Sequence, residues 1–147
     1  MVEAAPQWMT QDAFFRWLTA QEHRYELVDG APVMMAGANR RHDRIAARLQ
    51  RSLGNQLEGR RCQPFTSDTA VRIPAGNIRY PDLGVDCGPF VDDAMAASAP
   101  ALVVEILSAN TRAFDRTDKI EEYKGPSAFS VQGSSLGVGI QAASSTR

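Results

Sequence analysis

The clearest pattern in the chain is an apolar stripe at helical spacing between residues 40 and 59. Four apolar residues recur every four positions along it: Ile45, Leu49, Leu53 and Leu57. Arginines occupy mostly the positions between them: Arg40, Arg41, Arg44, Arg48 and Arg51. Because residues four apart share one face of an α-helix, this segment is predicted to form an amphipathic helix that ends near Gly59.

Shorter patterns surround this helix. Thr10 is a predicted N-cap for a helix over "QDAFFRWLT", and Asp29-Gly30 predicts a hairpin turn between two short strands. Pro32 after the turn places the second strand at a sheet edge. Four further strands are predicted in "CQPFTSD", "TAVRIP", "RYPDLGVDC" and "PALVVEILS", followed by a helix in "TRAFDRTDKIEEYKG" capped by Asn110 or Thr111. The order predicts an α+β domain with a mostly antiparallel sheet flanked by helices.

The last stretch, residues 125–147, differs in composition from the rest. It is rich in Gly and Ser, has no charge before Arg147 and shows neither helical nor strand periodicity. We therefore expect a domain over residues 8–124 and a poorly structured tail over 125–147.

Composition adds few constraints. The chain has 147 residues, of which 44% are hydrophobic and 22% charged, and a formal net charge of −1. This balance is typical of one globular domain and excludes a strongly basic protein, so a nucleic-acid partner would need a local basic patch. The arginines at 40–51 are the candidate patch, although a solvated helix face is the simpler interpretation.

Cys62 and Cys87 are too few for a disulfide framework and lack the paired spacing of a zinc site. We expect both to be reduced packing residues. No apolar run approaches the roughly 18 residues of a membrane span, and the N-terminus lacks the apolar region of a signal peptide. These features predict a cytoplasmic protein without a membrane partner.

Candidate chemistry comes from carboxylates in predicted strands. Glu105 interrupts the apolar run "ALVVEILS", where an unpaired buried ion would cost on the order of several kcal/mol. Asp82 on a neighbouring strand could share one divalent cation with it, and hard oxygen ligands suit Mg²⁺ or Mn²⁺. Such a metal activates water for attack on a phosphoryl group, and Lys119 could position that water or stabilise negative charge.

Each of these residues has a simpler interpretation. Glu26 could be a solvated strand residue, Asp82 could fix a local turn, and Glu105 could form a buried ion pair with Lys119 or an arginine. Lys119 could instead pair with Asp115 on a solvated helix face. His42 could be a surface or capping residue.

Several motifs in order resemble the Uma2 family, also called DUF820, over roughly residues 8–124. They are "RYELVDGAPVMMAGANRRH", "RYPDLGVDC", "PALVVEILSANT" and "DRTDKIEEY". The family is assigned to the PD-(D/E)xK restriction endonuclease-like superfamily, so the resemblance implies a nuclease core with a mixed, mostly antiparallel sheet and a metal-dependent phosphodiesterase site. It implies Asp82 and Glu105 as metal ligands and Glu26 and His42 as further site residues.

The resemblance has two departures. The superfamily's usual lysine position, two residues after the second acid, is Leu107, so Lys119 in the D-x3-K-x3-Y pattern is taken as its equivalent. After Tyr123 the chain does not resemble the strands with which the family continues, so C-terminal strands are expected to be missing.

Two functional hypotheses follow. The first is a Mg²⁺- or Mn²⁺-dependent endonuclease, a homodimer as the resemblance implies, with DNA favoured over RNA although no residue pattern separates them. The second is a non-catalytic or truncated remnant that at most binds a partner. A different metal-dependent hydrolase on the same core also stays open.

Overall fold

The computed structural model describes residues 8–107, 122–123, 127–134 and 137–142, the last two ranges by their backbone. Within these ranges, two helices have defined bounds, α1 (Gln11–Leu18) and α2 (Arg40–Leu57). Nine strands follow the order β1 (Tyr25–Val28), β2 (Ala31–Met34), β3 (Gln63–Thr66), β4 (Val71–Arg72), β5 (Ile78–Arg79), β6 (Leu83–Asp86), β7 (Pro100–Leu107), β8 (Ser127–Ser134) and β9 (Gly137–Ala142).

The strands form two sheets. The first has the order β2-β1-β5-β4, and all its pairings are antiparallel. The second has the order β3-β6-β7-β8-β9, in which β7 and β8 are parallel and the other pairings antiparallel. The predicted α+β class with a mixed, mostly antiparallel sheet is confirmed.

Local signals placed the first elements correctly. The Thr10 side chain accepts a hydrogen bond from the Ala13 backbone N–H, so it caps α1. Asp29 and Gly30 both have positive φ, at 50° and 77°, as a tight hairpin turn between β1 and β2 requires. The predicted edge position of the Pro32 strand is confirmed because β2 ends its sheet.

The predicted single strand "RYPDLGVDC" is wrong. The structure divides it into β5, which belongs to the first sheet, and β6, which belongs to the second. Pro81 lies between them, and a proline has no N–H for a strand ladder. The chain therefore changes sheet here, and Asp82 lies at the crossing point.

The C-terminal segment also differs from the prediction of a poorly structured tail without further strands. Ser127–Ser134 pairs with β7 in parallel, with Glu105 opposite Ser130, and Gly137–Ala142 continues the sheet. Backbone hydrogen bonds of a ladder do not require apolar periodicity, so a Gly- and Ser-rich sequence gives little sign of such strands. The predicted helix over 111–125 lies outside the described residues except for Glu122, which is helical, and Tyr123.

Three clusters form the core of the described chain. In the first cluster, Phe14 and Trp17 of α1 pack together with Leu27 of the first sheet. The apolar stripe of α2 packs on Leu83, Val104 and Ile106 of the second sheet. A third cluster around Val103 includes Tyr123. Because Val103 and Val104 alternate along β7, α2 and Tyr123 contact opposite faces of that strand.

The prediction of reduced cysteines is wrong. Cys62 and Cys87 form a disulfide. They flank β3 and β6, where Gln63 pairs with Asp86, so the antiparallel register sets the two cysteines opposite each other. Sequence spacing gives no sign of a pairing that depends on strand register. Within the described residues, no helix is both long and apolar enough to cross a membrane.

Candidate active site

Asp82 lies directly before β6, and Glu105 lies within the neighbouring strand β7. Leu83 pairs with Val104, so Asp82 and Glu105 each adjoin this pair along the backbone. The Ile106 backbone N–H donates a hydrogen bond of 2.6 Å to Oδ2 of Asp82. This carboxylate therefore bonds to the residue that follows Glu105. A distant backbone group holds it, so Asp82 does more than fix a local turn.

His42 binds the other oxygen of Asp82. Its Nε2 lies 3.0 Å from Asp82 Oδ1, and the two side chains are only 18% and 19% exposed. Asn39 caps α2 by accepting from the His42 backbone N–H, so His42 does not cap the helix itself. His42 precedes Ala46 by four residues and Leu49 by seven, and so continues the apolar stripe that packs on the sheet. That spacing is the sequence signal that points its side chain inward.

Glu105 is half-buried and accepts a hydrogen bond of 3.0 Å from the Tyr123 hydroxyl. Tyr123 is almost fully buried. Burial raises the pKa of Tyr123 well above its ordinary value, and the charge and hydrogen bond of Glu105 raise it further. The hydroxyl therefore stays protonated and donates a hydrogen bond to Glu105. Sequence reasoning assigned no role to Tyr123, although its spacing of four from Lys119 places the two on one face of the predicted helix.

Glu26 lies in a separate buried network. Its Oε2 accepts from Arg79 Nη1 at 3.0 Å, and its Oε1 accepts from the Tyr80 backbone N–H at 3.0 Å. Arg79 also donates to both carboxylate oxygens of Glu122 at 2.8 Å. The interpretation of Glu26 as a solvated strand residue is wrong, because the residue is only 6% exposed.

Arg79 is the residue of this region that sequence reasoning missed. Burial alone would lower its pKa, but the hydrogen bonds and charges of Glu122 and Glu26 outweigh burial and raise it. The guanidinium therefore stays charged and links β5 to the segment that contains Tyr123. Its place in the segment "RYPD" does not indicate that Arg79 is buried, because arginines in proteins are mostly exposed.

The predicted site residues thus fall into two groups. In the first, His42 contacts Asp82, and Asp82 bonds to the β7 residue that follows Glu105; in the second, Glu26 pairs with Arg79. Tyr123 lies between the groups, since the charges of both Glu105 and Glu26 raise its pKa. Lys119 lies outside the described residues. Among the residues that the structure describes, no group of three or more His, Cys, Asp or Glu side chains is arranged to hold a metal ion.

Comparison with known proteins identifies the family. The sequence model of Uma2, described as "Putative restriction endonuclease", matches residues 11–128. The chain belongs to the Uma2 family. Two relatives from Synechocystis sp. are slr1290, 32% identical over 117 residues, and sll1609, 28% identical over 128 residues. These alignments cover 78% and 84% of this chain, but only 62% of slr1290 and 72% of sll1609.

A solved Uma2 structure has the same fold. It is described as a putative nuclease belonging to DUF820 from Anabaena variabilis, and it superposes with a TM-score of 0.66 at 16% identity. The match covers 90% of this chain and 83% of that one. At this identity the likeness establishes the nuclease-like α+β fold of this Uma2 protein, and its activity is a separate question.

Proposed function

We propose that this Uma2 protein is a metal-dependent nuclease that hydrolyses phosphodiester bonds in nucleic acid. The observation that carries the proposal is the hydrogen bond from the Ile106 N–H to Asp82, which holds this carboxylate against β7 at the residue that follows Glu105. The family description and the fold of the Anabaena variabilis protein agree with it.

The donor chemistry of Asp82 and Glu105 fits a hard divalent cation, Mg²⁺ or Mn²⁺. A carboxylate oxygen has two lone-pair directions, so one hydrogen bond to it leaves capacity for a cation. Mg²⁺ commonly uses one or two protein carboxylates and keeps several waters, so a full protein cage is unnecessary. When bound, such a cation polarises a phosphoryl oxygen and lowers the pKa of a coordinated water.

The residues around the two acids have supporting roles in this proposal. His42 and the Ile106 N–H fix the orientation of the Asp82 carboxylate from two sides. Tyr123 fixes Glu105 in the same way. Lys119 is proposed to hold the attacking water or to stabilise negative charge on the phosphoryl group. Glu26 is proposed to act from the second group, through Arg79 and the segment that contains Tyr123.

The proposed substrate is DNA rather than RNA, and the proposed assembly is a homodimer. Cleavage of matched DNA and RNA duplexes tests the first statement, and light scattering tests the second. The proposed compartment is the cytoplasm. The Cys62–Cys87 disulfide favours an oxidising compartment, so the thiol state in freshly lysed cells decides this point.

A cleavage assay with matched variants tests the function. Plasmid DNA is incubated with the protein and Mg²⁺, Mn²⁺ or a chelator. Asp82→Asn and Glu105→Gln should each lower the metal-dependent rate by about 100-fold or more, the scale on which single electrostatic contributions to catalysis are lost. Asp92→Asn makes the same chemical change at an exposed loop position and should leave the rate unchanged. Cleavage that persists in Asp82→Asn would contradict the proposal.

A second candidate is a binding protein without catalysis. It is favoured by the lack of a metal-binding cluster of three or more side chains within the described part of the chain. It predicts a folded protein that binds nucleic acid and shows no metal-dependent cleavage. The same assay, combined with a binding measurement, separates the two candidates.

A further inference from the structure

One face of α2 carries a dense positive charge that the proposed chemistry does not use. Of the chain's 16 Lys and Arg residues, seven lie between residues 40 and 61, together with only two of its 17 Asp and Glu residues. This segment therefore has a formal charge of +5, and the rest of the chain has −6. The small net charge of the protein hides this separation.

The structure arranges five of these arginines in one stripe. They are Arg40, Arg41, Arg44, Arg48 and Arg51, here called the arginine stripe, and all five are exposed. At 100° per residue they span an arc of about 100° that contains no acidic residue. The apolar face that packs on Leu83, Val104 and Ile106 lies on the opposite side of the helix. The stripe therefore faces solvent.

The arginine stripe differs from other arginines of the protein. Arg24, Arg72 and Arg79 each pair with a carboxylate. Within the described residues, no ion pair involves an arginine of the stripe. Like charges three or four residues apart destabilise a helix, and positive charge in its first turns opposes the helix dipole. The arrangement thus weakens α2 in isolation, and an anionic partner would reverse that effect.

We propose that the arginine stripe is a contact surface for the phosphate backbone of nucleic acid. The choice of nucleic acid as the anionic partner rests on the proposed function. The stripe begins in the same turn of α2 as His42, whose side chain contacts Asp82 on the opposite face of the helix, so this end of the stripe is the one nearest to the candidate site. Its length, about 17 Å from Arg40 to Arg51 at 1.5 Å per residue, spans several phosphates of a DNA duplex.

An anionic membrane is the competing class of partner. A basic amphipathic helix binds a membrane by burying its apolar face in the lipid. In α2 this face already packs on β6 and β7 through Ile45, Leu49 and Leu53. The observations therefore favour nucleic acid, which needs only the charged face.

The test is the salt dependence of binding to a short labelled DNA duplex, without divalent cations and in an Asp82→Asn background so that cleavage plays no part. The variant Arg44→Gln, Arg48→Gln, Arg51→Gln should bind more than about 10-fold more weakly, with a slope of log affinity against log salt shallower by about 2 to 3. The triple lysine variant at the same positions keeps the charge and should bind nearly as the parent does. The single variant Arg48→Gln has a matched control in Arg16→Gln, at an exposed position of α1. The control should leave both the affinity and the salt slope unchanged.

The thermal midpoint checks that lost binding is not lost folding. Because the glutamines remove repulsion within α2, the triple glutamine variant should melt at the same temperature as the parent or higher. Unchanged affinity and slope in this variant would overturn the proposal, and so would a parent protein that binds anionic vesicles but not the duplex.

The outcome for the stripe is separable from the outcome for the nuclease. Binding that depends on the stripe, without any Asp82-dependent cleavage, supports the surface and contradicts the proposed function. Cleavage that depends on Asp82 but proceeds unchanged in the triple glutamine variant supports the nuclease and overturns the surface.

Discussion

The imidazole of His42 and the carboxylate of Asp82 lie 3.0 Å apart and connect α2 to the crossing between the two sheets. Neither side chain is more than a fifth exposed, so solvent screens the contact only in part. His42→Ala should remove this contact and lower the free energy of unfolding by about 0.5–1.5 kcal/mol. Urea unfolding measures the change.

The same substitution should lower any metal-dependent cleavage by more than the loss of stability explains, because Asp82 loses one of the two groups that orient it. Rates are measured where the variant is fully folded. His23→Ala, at an exposed position, is the control. A folded His42→Ala protein that cleaves at the parent rate would remove His42 from the site.

The Arg79 network should be the most sensitive polar feature of the described chain. Arg79→Met leaves the carboxylates of Glu26 and Glu122 without their shared cation, and breaking a buried ion pair costs about 3–5 kcal/mol. Asp68→Asn breaks the exposed pair with Arg24 and should cost about 0–1 kcal/mol. Equal losses in urea unfolding would show that burial does not distinguish these two pairs.

The stabilisation that Tyr123 provides should be lost at alkaline pH. Its pKa is raised in the folded state, so its contribution is complete below its unfolded pKa of 10.0 and is lost as pH rises through the folded pKa. Tyr123→Phe should cost roughly 1.5–3 kcal/mol at neutral pH, since a hydrogen bond to a charged group is lost. The difference between the two proteins should shrink above about pH 10.

Unfolding of parent and variant across this pH range measures the effect, and a double-mutant cycle with Glu105→Gln isolates the Tyr123–Glu105 hydrogen bond. Burial also raises the pKa of Tyr80, so the variant should retain part of the alkaline decline. Parallel curves for the two proteins would contradict the assignment of the raised pKa to Tyr123.

The Cys62–Cys87 disulfide should stabilise the oxidised protein. It closes a loop with a sequence separation of 25 residues, for which the chain-entropy estimate is about 3.5 kcal/mol. Reductant should therefore lower the thermal midpoint of the wild type and leave that of the Cys62→Ser, Cys87→Ser double variant unchanged. Free thiols in protein purified without reductant would contradict the disulfide.

Local patterns predicted the parts of the fold that depend on neighbours in sequence. The α2 stripe, the Thr10 cap and the Asp29-Gly30 turn each rest on contacts within a few residues. The division of "RYPDLGVDC" between two sheets and the Cys62–Cys87 pairing depend on strand order and register. Strand order and register bring together residues that are far apart in the chain, and local patterns in a single sequence do not show them.

The candidate site was predictable to a similar degree. Asp82 and Glu105 stood out because a carboxylate in or beside an apolar strand requires a compensating group. The compensating groups themselves, Tyr123 for Glu105 and Arg79 for Glu26, come from distant parts of the chain. Residue types alone do not show which of several acids meets which donor.

We propose that Asp82 helps to hold a divalent cation, and thermal unfolding with and without Mn²⁺ tests this role. A ligand that binds only the folded state stabilises it by about 2.7 kcal/mol at 100 times its dissociation constant. We predict that Mn²⁺ raises the midpoint of the wild type by several degrees and leaves that of Asp82→Asn unchanged. An equal rise in both proteins, or no rise in a cooperatively folded wild type, would contradict the claim.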